Sequence, residues 1–121
     1  MLITKVPKKT KIVIVEQNRF AINAIQQELK SIECTTKIVQ SKEDFEWALE
    51  QFAPDIVLSN YTHAFFDGPT VFEMKQKEKP LVPFIFVCQP IEEKNVIELL
   101  KRGVTDFVSI NNLSTLSHKI I

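Results

Sequence analysis

Five short apolar runs, spaced roughly 20–28 residues apart, constrain this chain more than any other feature. They are Ile12-Val13-Ile14-Val15, Thr36-Lys37-Ile38-Val39, Asp55-Ile56-Val57-Leu58, Phe84-Ile85-Phe86-Val87 and Thr105-Asp106-Phe107-Val108. All are rich in the β-branched or aromatic side chains that suit a pleated surface, and each is followed by a stretch of helical period. Ile22, Ile25 and Leu29 form the first helical stripe. Phe45, Ala48, Leu49 and Phe52 form the second, opened by Ser41-x-x-Asp44 as a cap. Pro69 suits the first position of a third helix, with Val71 and Met74 behind it. Val96, Ile97 and Leu100 build a fourth helix, and Leu113, Leu116 and Ile120 a fifth that starts near Asn112.

Strict alternation of strand and helix predicts a parallel sheet covered on both faces. Strands one, three and four are apolar on both sides, as central strands are. Strand two, with Cys34-Thr35-Thr36-Lys37, and strand five, with Asp106 and Ser109, are mixed and belong at the edges. The order 2-1-3-4-5 meets both demands. This is an α/β flavodoxin-like (βα)5 doubly wound sheet, whose ligands sit beyond the carboxyl ends of the strands near the β1/β3 switch point.

The 121 residues, 45% of them hydrophobic and 25% charged, suit one domain with one core. Residues 1–10, with Lys5, Lys8, Lys9 and Pro7, read as a flexible basic lead-in, and 11–121 as the domain. Fifteen basic and fifteen acidic side chains cancel, so no global field draws the chain to nucleic acid or a membrane. Two cysteines, Cys34 and Cys88, without Cys-x-x-Cys spacing suggest a reducing, cytoplasmic setting. With glycine only at positions 68 and 103, neither a dinucleotide fingerprint nor a P-loop follows strand one, and Glu16-Gln17-Asn18-Arg19 is a poor flavin-phosphate loop.

At the carboxyl edge the chain resembles a known family, the receiver domains of bacterial response regulators. Lys11-Ile-Val-Ile-Val-Glu-Gln is similar to that family's first strand with its terminal acidic pair. Pro54-Asp-Ile-Val-Leu-Ser-Asn-Tyr resembles the third strand with the phosphoacceptor position, and Phe66-Asp67-Gly68 the loop before helix three. Pro83-Phe-Ile-Phe-Val-Cys, Gly103-Val-Thr-Asp-Phe-Val and Asn111-Asn-Leu complete the set, from about Lys11 to the C-terminus. The resemblance implies an acidic pair holding Mg²⁺, an aspartate that accepts a phosphoryl group, a Ser/Thr and a lysine that contact it, and an aromatic switch.

Carried over position by position, the acidic pair is Glu16 and Gln17, the acceptor Asn60, the Ser/Thr position Cys88, the lysine position Ile110 and the aromatic position Phe107. Only Glu16 keeps a charge, and Phe107 a ring. The amide of Asn60 is a poor nucleophile. One carboxylate with two amides is a poor Mg²⁺ site, so binding is expected to be weak or absent. Ile110 cannot pair with a phosphoryl oxygen; Ser109, the other choice at that position, is no more basic. Acids and lysine are missing together, which avoids a partly buried, uncompensated cation. The expectation is a degenerate pseudo-receiver without catalytic residues of its own.

The resemblance also implies a protein partner: a histidine kinase, a phosphotransfer protein or another receiver. Helix four, strand five and helix five are the family's docking and dimer surface, which places Leu99, Arg102 and Phe107 there, with a homodimer through helix four and strand five as one outcome. The short final helix, Asn112 to Ile121, fits a domain of a larger regulator or hybrid kinase, or a free-standing domain. A rival reading makes the crevice that of a small α/β enzyme or ligand-binding domain, with Glu16 as acid/base and Cys88 as nucleophile. A Cys88–His63 pair belongs to it; the plainer reading is a small core cysteine beside an ordinary turn. A metal site from Cys34, Cys88, His63 and His118 lacks ligand spacing, Cys34 falling at the opposite end of the sheet. Phe65-Phe66 is a second exposed-aromatic candidate. Trp47 reads as half-buried packing and Glu92-Glu93-Lys94 as a solvated helix start.

Overall fold

Because side chains alternate across a strand, a parallel sheet apolar on both faces must bury two apolar layers, so the single core expected from the length is divided in two. The computed structural model, which describes residues 9–62 and 67–120, has that arrangement. The strands are β1 (Thr10–Val15), β2 (Cys34–Val39), β3 (Ile56–Ser59), β4 (Phe84–Cys88) and β5 (Asp106–Ser109), all parallel in the order β2-β1-β3-β4-β5. Between them run α1 (Arg19–Glu28), α2 (Lys42–Trp47, continued by a π-turn over Ala48–Phe52), α3 (Gly68–Glu78) and α4 (Glu93–Lys101), with a short α5 (Leu116–Ile120) after β5. The predicted sheet order and the five strand–helix units are thus present.

On one face Val13, Val15, Val57, Phe84 and Phe86 pack under α2, α3 and α4. On the other Ile12, Ile14, Ile56, Leu58 and Ile85 meet Ile25 and Leu29 of the α1 region and Leu116 of α5. The aromatic part of the first core is a chain of rings: Phe72 lies edge-on to Phe84, Phe84 to Phe86, and Phe86 stacks on Phe107 with centroids 5.3 Å apart.

Three polar side chains start helices by accepting a backbone N–H: Asn18 from Ala21, Ser41 from Asp44, and Asp67 from Thr70. Helix α3 begins at Gly68, one residue before Pro69. A Cβ on Gly68 would stand 2.6 Å from the Tyr61 carbonyl oxygen and 2.6 Å from a Phe86 ring carbon. Glycine there lets α3 press onto the end of β3. Gly103 turns the chain from α4 into β5 at φ +111°, a conformation other residues rarely adopt.

Helix α4 corrects the expectation drawn from its sequence. Leu99 is 5% exposed and belongs to the first core, while Ile97 is 45% and Leu100 42% exposed. Ile91 before the helix and Val104 after it both pack into the same core as Leu99, and Val96 is partly buried. Leu99 therefore does not lie on the open surface assigned to it above. A second difference concerns α3, where Phe72 and Lys75 are buried and Met74 is only partly so.

Candidate functional site

The strand order places the carboxyl ends of β1 and β3 side by side, and those of β4 and β5 likewise. Three of the strands, β1, β3 and β5, are extended by one backbone bond into the following loop: Glu16 N–H donates to the Val39 carbonyl, Asn60 N–H to that of Val15, and Ile110 N–H to that of Cys88. These bonds hold Glu16, Asn60, Cys88 and Ile110 around one cleft of about 320 Å³. Asn18, Phe20, Ala21, Ala24, Val87, Gln89 and Asn111 complete its lining.

Glu16 is buried at the base of this cleft. Its Oε1 accepts from the N–H groups of Gln17 (3.2 Å) and Asn18 (3.0 Å), and from Asn60 Nδ2 at 3.3 Å. The Asn60 amide is engaged at both ends, since its Oδ1 accepts from the N–H groups of Tyr61 at 2.7 Å and Thr62 at 3.4 Å. Ser59, just before it, donates its hydroxyl to the Asn60 carbonyl at 2.8 Å. Across the cleft mouth, Asn111 Nδ2 donates to Gln89 Oε1 at 3.2 Å, linking the loops after β4 and β5.

Burial pushes the Cys88 thiol up to about 11, against a partly offsetting backbone N–H of Tyr61 and with the nearby Glu16 charge adding to the rise. A thiol in that range is protonated at neutral pH, so it lacks the thiolate a nucleophile needs. His63 and the Phe65-Phe66 pair lie outside the described residues. Cys34 sits at the start of β2 and Cys88 at the end of β4, at opposite ends of the sheet as expected. Among the described residues no cluster of three His, Cys, Asp or Glu is placed to hold a metal ion, and no helix is long and apolar enough to cross a membrane.

Four of the five pocket residues read from the sequence therefore meet, and Gln17 does not join them. Its amide donates to the Gln40 carbonyl at 3.3 Å, and it lines a neighbouring depression with Arg19 and Ile38. Ile110, not Ser109, faces the cleft; Ser109 lies on the other side, with Phe107 and Val96. Arg102 is exposed and paired with Glu73 of α3, and Phe107 is half-buried against Phe86. Sequence reasoning missed Asn18, Phe20 and Asn111. For Asn18 a signal existed, an amide three residues before a helical N–H, as in a cap. For Phe20, 86% exposed at the cleft wall, there was none, because a lone aromatic near a helix start normally reads as core.

A family model for the response regulator receiver domain matches residues 12–118. Solved structures with the same fold include a response regulator receiver protein from Pseudomonas putida (TM-score 0.81, 17% identity, covering 95% of this chain and 98% of that one). The non-phosphorylated HemR receiver domain from Leptospira biflexa gives a TM-score of 0.80 at 17% identity, over 92% of this chain and 90% of that one. The phosphorylated cyanobacterial phytochrome response regulator RcpA gives 0.74 at 19% identity, over 91% and 89%. No curated protein matches by sequence.

Proposed function

The chain belongs to the response regulator receiver domain family, and from that premise we propose that it is a signal-transduction module of a two-component or phosphorelay system that lacks a phosphoacceptor aspartate. It acts by protein–protein contact. The observation that carries this reading is Asn60, a neutral amide at the acceptor position with both its ends already hydrogen-bonded. An amide cannot form an acyl phosphate. Ile110 supports the same reading, since a hydrocarbon takes the place where a lysine would neutralise a phosphoryl oxygen.

Mg²⁺ fits the donor set poorly. The cation prefers several hard, anionic oxygens in octahedral array. Here Glu16 supplies one carboxylate, the Asn60 oxygen is committed to two backbone N–H groups, and Gln17 is turned away. Cys88, a protonated and buried thiol, offers a weak hydrogen bond where the family implies a hydroxyl.

The partner is a protein: a histidine kinase, a phosphotransfer protein or another receiver. The surface assigned to it runs over α4 and β5 through Arg102 and Phe107, with Ile97 and Leu100 supplying the apolar contact in place of the buried Leu99. A homodimer through α4 and β5 would use the same side chains. The amide NMR spectrum recorded with Mg²⁺ and fluoroberyllate, which mimics a phosphoryl group on a carboxylate, tests the reading. No saturable change at Asn60, Cys88 or Phe107 is expected; a Mg²⁺-dependent, saturable shift at these amides would overturn it.

A further inference from the structure

The cleft that phosphoryl chemistry would use has a charge balance of a different kind. Among the described residues lining it, Glu16 is the one formal charge, and the polar remainder is neutral. Among the described residues the three hydrogen bonds to Glu16 fall on Oε1, which leaves Oε2 to accept from whatever enters. A buried carboxylate with a spare oxygen repels phosphate and attracts a cationic donor, and low local dielectric strengthens both effects. The walls add a second demand. Phe20, Ala21 and Ala24 of α1 line the cleft together with Ile110, and Phe20 is 86% exposed, so apolar surface stands uncovered in the same cleft as the carboxylate.

We propose that this cleft is a binding site for a small organic cation, an ammonium or guanidinium head on a short apolar stem. The head meets Glu16 Oε2, and the Asn111 and Gln89 side-chain amides line its path. The stem lies between Phe20 and Ile110. The inference rests on the reading that Asn60 does not accept a phosphoryl group, and it names what the site takes instead.

The test is titration of the whole chain with n-butylguanidinium, at constant ionic strength and free of Mg²⁺, followed by amide NMR. Saturable shifts are expected at Asn18, Ala21, Asn60 and Asn111, and none with n-butanol, which has the stem without the charge. Glu16→Gln keeps the shape and the Oε1 acceptor, and weakens binding by about tenfold or more, the change expected when a charge-assisted hydrogen bond becomes neutral. Phe20→Ala, on a ring the fold does not bury, weakens it several-fold. Absence of saturation, equal response to n-butanol, or unchanged affinity in either folded variant overturns the proposal, as does Mg²⁺ saturating the same amides at lower concentration. A response to fluoroberyllate overturns the parent reading whatever the organic cation does. Indifference to both probes overturns this inference alone.

Discussion

Asn60 and Glu16 are bound to each other, so replacing either changes the fold's energy as well as its chemistry. Asn60→Asp removes the bond from Nδ2 to Glu16 Oε1 and sets two carboxylates against each other. We expect it to destabilise the domain by about 1–2 kcal/mol, the range for a lost, partly buried hydrogen bond with added repulsion. Added Mg²⁺ recovers part of the loss; thermal unfolding of variant and wild type with and without the ion measures both. Phosphoryl labelling of this variant should stay low, because Ile110 still offers no cation and Gln17 still turns toward Gln40. Two further residues contribute to the pH dependence of stability in the alkaline range with opposite sign. Burial raises the Cys88 thiol from about 9 to about 11, so the unfolded chain releases its proton first, and stability falls as pH rises through that window. Desolvation lowers the Lys75 ammonium, so the unfolded chain holds its proton longer, and stability falls as pH drops from the ordinary lysine value. Lys75 is buried on α3, with Nζ donating to Gln76 Oε1 at 2.6 Å and to the Pro80 carbonyl at 3.4 Å, over the Phe72 ring. Urea unfolding from pH 8 to 11 should show less loss of stability with rising pH in Cys88→Ala than in the wild type. Lys75→Met should show a greater loss of stability with rising pH, because the offsetting contribution is gone.

Helix α4 shows where the sequence is readable and where it is not. Apolar residues at 96, 97, 99 and 100 make a stripe too wide for one buried face, and periodicity alone cannot choose its buried column. The choice is made outside the helix, by Ile91 and Val104 anchoring both ends in the aromatic core. Leu99→Ala should therefore destabilise by about 2–4 kcal/mol, as for a filled core position. Ile97→Ala should change stability by about 0.5 kcal/mol or less, as for a surface site. Chemical denaturation of the two variants measures the difference, and the reverse ranking would contradict the rotation described. The strands were legible for the opposite reason. In β1, β3 and β4 both faces are apolar, so burial and order follow from composition without a choice of face. Lys75 was illegible because a charged residue reads as solvent-facing, while its four-carbon stem and a neighbouring carbonyl make burial tolerable. Gln17 misled in a related way: its place after β1 was correct, but its side-chain amide donates to the Gln40 carbonyl, away from the cleft.

At the scale of the molecule, a receiver fold carries at its carboxyl edge an open cleft lined by one carboxylate, Glu16, with amides, a thiol and hydrocarbon. The sheet order of the receiver fold is in place, and this chain's own run of rings from Phe72 to Phe107 packs beneath α3 and α4. Under the function proposed above, signalling depends on the docking face and on the occupancy of the cleft. Charge reversal at Arg102 frees Glu73, and in combination with Ile97→Glu and Leu100→Glu it should abolish capture of a cognate kinase, phosphotransfer protein or second copy without unfolding the sheet. Sedimentation and pull-down with the triple variant check this; undiminished association would place the docking face elsewhere. The central claim, that the domain works without an aspartyl phosphate, is tested most directly by intact-protein mass after incubation with Mg²⁺ and a small acyl-phosphate donor. The account predicts an unchanged mass for the wild-type chain. An added, labile phosphoryl group would mean that another side chain accepts it, and would contradict the reading of Asn60 as the end of that chemistry.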